Sequence, residues 1–142
     1  MKILIYDWIQ DNHPGNQGGG VQYYQKNLIE ELKERNEISS IAILSSGRTY
    51  DWRYPEIRII NLPSDDLKIR RYDLVNSGVP APASNFFSNL YALSHQRTFQ
   101  AFEKFLCKYG PFDVVHFNHF EGLPAHNNRA WKKLFSSQER IS

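Results

Sequence analysis

The feature that most constrains this chain is a wholly apolar run, Ile3-Leu4-Ile5-Tyr6, followed by a polar loop and then three glycines set directly before an amphipathic helix. A strand with no polar face must be covered on both sides, as a central strand of a parallel sheet is. After the glycines, Val21, Tyr24, Leu28 and Leu32 recur at helical spacing, which predicts an apolar stripe on a helix ending near Arg35. Ile41 to Leu44 supply a second strand, and EIRIINLP predicts a third, with Ile57 and Ile59 alternating and Pro63 as its stop.

From Ser64 to Ser84 the sequence has no period, and SGVPAPAS is turn and linker chemistry, because Pro80 and Pro82 exclude helix and central strand alike. A long helix is expected from about Asn85 to Tyr109, where Phe87, Leu90, Phe102, Phe105 and Tyr109 keep helical spacing and Gly110-Pro111 ends the run. FDVVHFN then gives a fourth strand, and RAWKKLFSSQERIS reads as a polar helix. The order β-loop-α-β-β-α-β predicts an α/β layer with a mostly parallel sheet and right-handed crossovers. At 142 residues there is material for one core and not for two.

Charge excludes some functions. The net charge is +2, and the basic cluster Lys68, Arg70, Arg71 is interleaved with Asp65, Asp66 and Asp73, so it reads as a solvated loop and nucleic acid is not an expected partner. The single cysteine, Cys107, forbids an intrachain disulfide and reads as a small packed side chain in a reducing compartment. The start MKILIYDW is too short an apolar run for a signal peptide or a membrane span, so a cytoplasmic protein is expected.

Two stretches carry candidate chemistry. Gly18, Gly19 and Gly20 lie between a buried strand and a helix start, where unpaired N–H groups and the positive dipole end receive anions. Lacking a Cβ, they let a phosphate or sugar approach the backbone. No carboxylate falls in Val21 to Tyr24, whereas Glu30, Glu31 and Glu34 all lie in the later half of the helix. The alternative is a flexible surface turn. The spacing is neither the dinucleotide-binding G-x-G-x-x-G nor an NTPase phosphate loop.

In FDVVHFNHFEGLP, Val114 and Val115 carry the strand while His116, Asn118, His119 and Glu121 gather polar groups at its carboxyl end, the edge where the glycine loop should lie. For His116 alone the alternative is a satisfied strand-end histidine. His116, His119 and Glu121 are metal-ligand types, but strand alternation points the two histidines to opposite faces, so no metal is expected. Trp8 either lines the cleft or caps the core, His95 and Gln96 read as the polar face of the long helix, and His126 as a loop or helix start.

Together, GGGVQYYQKNLIEEL after a first strand and FDVVHFNHFEGLP on a later one resemble the N-terminal domain of family-four, GT-B type glycosyltransferases, which build bacterial polysaccharides and glycolipids. The resemblance covers most of the chain except Ser64 to Ser84. It implies a Rossmann-like half of a two-domain cleft enzyme, with no cofactor, whose partners are a nucleotide-sugar donor and a saccharide or lipid-linked acceptor. A lipid-linked acceptor further implies peripheral contact at the inner face of the membrane. The glycine loop, here Gly18, Gly19 and Gly20, would meet the donor diphosphate and sugar. A histidine at the end of the later strand would lie close to the transferred sugar. The family often has HFHN where this chain has HFNH, so His116 matches the first position, Asn118 takes the second, and His119 stands where asparagine is common.

The family's phosphate-binding basic pair and acidic ribose-binding motif belong to a C-terminal domain, and the chain reaches Ser142 before a fifth strand is recognised. The expectation is therefore that this polypeptide alone binds weakly and does not turn over. Two other classes stay open. A hydrolase would use Asp7, Asp11 or Glu121 as paired carboxylates. A noncatalytic binding module would use exposed aromatics such as Phe86 or Phe87 with Trp131, though core packing explains most aromatics.

Overall fold

The computed structural model describes residues 1–7, 10–12, 20–45, 58–64, 66–75, 88–118 and 128–141. Five strands and three helices run in the order β1 (Lys2–Asp7), α1 (Gly20–Lys33), β2 (Ser40–Ser45), β3 (Arg58–Leu62), β4 (Ile69–Val75), α2 (Ser88–Tyr109), β5 (Val114–Phe117) and α3 (Asn128–Ile141). They form one mixed sheet of spatial order β3-β4-β2-β1-β5, parallel at β1–β2, β1–β5 and β2–β4 and antiparallel at the β3–β4 edge. The class is α/β, and the sheet is mostly parallel as its apolar strands require.

Both faces of β1 are covered. On one face Ile3 and Ile5 join Ile41, Ile43 and Ile69 beneath Ile29 of α1, with Leu28 and Leu32 packed at the margin. On the other, Leu4, Tyr6, Leu44 and Leu74 meet Phe102, Phe105 and Leu106 of α2 and Leu134 of α3. This second layer is aromatic: the Phe102 ring stands edge-on to Tyr6 at 5.6 Å, and Trp131 stands edge-on to Phe99 at 5.0 Å and to Phe117 at 5.3 Å. Such edge contacts add about 1 kcal/mol each to the area they bury. Strand β1 thus lies between a strand reached through α1 on one face and a strand that follows α2 on the opposite face.

Several expectations are corrected. The stretch read as a solvated loop contains β4, the neighbour of β2, and Arg71 within it is buried. A charged strand fits there because its charges are matched from elsewhere in the chain. The strand count therefore reaches five before the tail helix begins. Tyr24 does not belong to the buried stripe of α1: it is exposed, and Gln25 takes the buried place one turn before Ile29. Cys107 is exposed rather than packed. Helix α3 is amphipathic rather than polar all round, since Trp131 and Leu134 enter the core layer. Residue Ile57, residues 85–87 where the long helix is expected to begin, and Trp8, Asp65 and His126 lie outside the described residues. No described helix is long and apolar enough to cross a membrane.

Candidate functional site

The face of the sheet under α1 changes character along the strands. Near the amino ends of β1, β2 and β4 it is isoleucine; at the carboxyl ends the same rows become polar. Asp7 follows Ile3 and Ile5 in β1, Ser45 follows Ile41 and Ile43 in β2, and Arg71 and Asp73 follow Ile69 in β4. Register aligns these substitutions, pairing Asp7 with Ser45, Ser45 with Asp73, Ile43 with Arg71 and Ile5 with His116. A polar row above an apolar floor is the composition of a ligand site at the carboxyl ends of a parallel sheet.

The crevice between β1 and β5 is where the direction of winding reverses, the position at which open α/β sheets take their ligands. Three side chains meet there. His116 Nε2 lies 2.7 Å from Asn118 Oδ1, and Asn118 Nδ2 donates to Asp7 Oδ2 at 3.4 Å. The backbone N–H of Asn118 donates to Tyr6 C=O at 3.0 Å, so the strand pairing holds the asparagine in place. Above them, the Tyr24 ring of α1 lies 6.2 Å from the His116 imidazole, centroid to centroid, with the planes 32° apart. The first turns of α1, which has no acidic residue in its first turn, therefore overlie the end of β5.

A second cluster lies between β2 and β4. Gln10 Nε2 approaches Ser45 Oγ at 3.0 Å, Tyr72 C=O at 3.0 Å and Ile43 C=O at 3.3 Å, and Ser45 Oγ donates to Asp73 Oδ1 at 2.9 Å. Arg71 Nη1 donates to Gln10 Oε1 at 3.2 Å and to the Asp11 carboxylate. These bonds tie Gln10 and Asp11, which follow β1, across the sheet to β4. Asp11 is thereby held in an ion pair with Arg71, and Asp7 Oδ2 accepts from Asn118. Trp131, offered by the sequence as a contact surface, is packed against Phe99, Phe102 and Phe117.

Of the residues expected at the site, His116 and Asn118 are brought together and Gly20 begins α1. Gly18, Gly19, His119 and Glu121 lie outside the described residues. Sequence reasoning missed Gln10, Ser45, Arg71 and Gln25, and took Asp7 only as a hydrolase carboxylate. The one signal for Asp7 was its place directly after the apolar run. Gln25 is fully buried, and neither atom of its carboxamide has a hydrogen-bond partner among the described residues; Arg71 Nε is likewise unpaired. Among the described residues no three His, Cys, Asp or Glu side chains group as a metal site.

No protein-family model matches the chain, and neither the curated proteins nor the solved structures provide a match.

Proposed function

We propose that the chain is the acceptor-side, Rossmann-like half of a GT-B glycosyltransferase, which transfers a sugar from a nucleotide-sugar donor to a saccharide or lipid-linked acceptor. What supports this reading is one coincidence: His116 and Asn118 occupy the crevice between β1 and β5, under the opening turns of α1. In the proposal His116, with His119, lies at the transferred sugar. Gly18, Gly19 and Gly20 receive the donor diphosphate, and Asn118 and Glu121 hold hydroxyls. Stabilisation of the leaving diphosphate falls to backbone N–H groups and to cations of a second domain, and not to a carboxylate pair in this half. The reaction is placed in the cytoplasm, at the inner face of the membrane where the acceptor is lipid-linked.

In this proposal residues 1–142 form one wall of a two-walled cleft, and that wall taken alone binds donor weakly and excludes water poorly. Calorimetric titration with uridine- and guanosine-diphosphate sugars tests this. The expected result is weak binding, in the millimolar range, that His116→Ala reduces severalfold. Absence of binding to every nucleotide sugar would overturn the proposal, and measurable transfer by the chain alone would overturn the requirement for a second half.

A further inference from the structure

The Asn118 carboxamide is held at both ends, and the two ends are not equivalent. One faces Asp7 Oδ2 at 3.4 Å and the other faces His116 Nε2 at 2.7 Å. The end that faces Asp7 is the NH2 group, whose Nδ2 donates to the carboxylate oxygen. The end at the ring is then the carbonyl oxygen. That oxygen only accepts, which obliges His116 Nε2 to carry a proton. The bond to Asp7 is long, and it acts through its sign: turning the amide over would set an oxygen against a carboxylate. Asp7 is 2% exposed, so little water is present to screen that repulsion.

We propose that Asp7 is a positioning residue for His116, acting through Asn118 to hold the neutral imidazole as its Nε2–H tautomer and to leave Nδ1 as an acceptor. Nδ1 has no hydrogen-bond partner among the described residues. A group that pairs with it must therefore donate, as a hydroxyl does and an unprotonated phosphate oxygen does not. That this hydroxyl belongs to a sugar rests on the proposed transfer function; the tautomer does not.

The test needs no ligand, so its failure is separable from failure of the transfer reading. The full chain, labelled with nitrogen-15 in its histidine rings, is examined by long-range proton–nitrogen correlation in alkaline buffer, where imidazoles are neutral. His116→Gln identifies the signals. In the wild type His116 should show a protonated Nε2, with slowed exchange of that proton, and an unprotonated Nδ1. In Asp7→Asn, which keeps the shape but lets the facing amide turn either way, both nitrogens should move toward averaged shifts and the Nε2 proton should exchange faster. If that variant does not fold, Asn118→Leu at the half-buried strand end should give the same change. A wild-type ring protonated on Nδ1 or already averaged would overturn the proposal, as would a tautomer and exchange rate unchanged either in a folded Asp7→Asn variant or in Asn118→Leu.

Discussion

Replacing Arg71 with alanine leaves two acceptors in the interior without their donor. Arg71 is 8% exposed, the Asp11 side chain is 11% exposed, and Gln10, which also accepts from the guanidinium, is 4% exposed. Removing one partner of a buried ion pair costs about 3–5 kcal/mol, because the other charge stays where water cannot reach it. Loss of a donor to Gln10 adds about 1 kcal/mol. The sum, about 4–6 kcal/mol, should lower the melting temperature by more than ~10 °C in a chain of this size. An arginine on a solvated loop would give only about 0–1 kcal/mol. Urea unfolding followed by circular dichroism measures the difference. Arg71→Met combined with Asp11→Leu removes both charges and should recover most of the loss. A single-variant loss below about 1 kcal/mol would refute the reasoning.

Other outcomes follow from particular side chains. Gln25→Leu removes two buried polar atoms that have no partner among the described residues and should raise stability by about 1–2 kcal/mol in thermal melts; a loss of stability would show that the carboxamide has a partner. Burial first, and the neighbouring Tyr109 second, push the Tyr72 hydroxyl above its usual value of 10.0, against a lowering by Arg70. A raised acid favours the neutral folded form, so the stability this affords is whole below pH 10.0 and falls as pH rises beyond it. Unfolding midpoints of Tyr72→Phe measured across that range should show a smaller alkaline decline than wild type. Cys107, exposed on α2, should react with a thiol reagent in the native state at one equivalent per chain; protection until unfolding would place it in the core.

The legible parts of the fold are those whose sequence pattern and environment agree. Strands β1 and β2 are apolar on both faces, and their interior place could be read directly from Ile3–Tyr6 and Ile41–Leu44. Strand β4 was hidden because its buried arginine, Arg71, is neutralised by a residue 60 positions earlier, a pairing that no local window contains. On α1, hydropathy prefers Tyr24 to Gln25 for the buried stripe, but the ring is directed to the strand-end histidine and the amide goes inside. The polar crowding around His116 was visible in FDVVHFNHFEGLP. The role of Asp7 was not, since it depends on contact with Asn118 across 111 residues.

The most direct test of the central claim, that the β1–β5 crevice under α1 is the ligand site, is mapping of backbone and histidine-ring chemical shifts during titration with a nucleotide sugar. The account predicts concerted changes at the amides of Gly20 to Tyr24, at Asn118 and at the His116 ring, weakened by His116→Ala. Binding that moved only signals remote from these residues, or none at all at millimolar ligand, would contradict it.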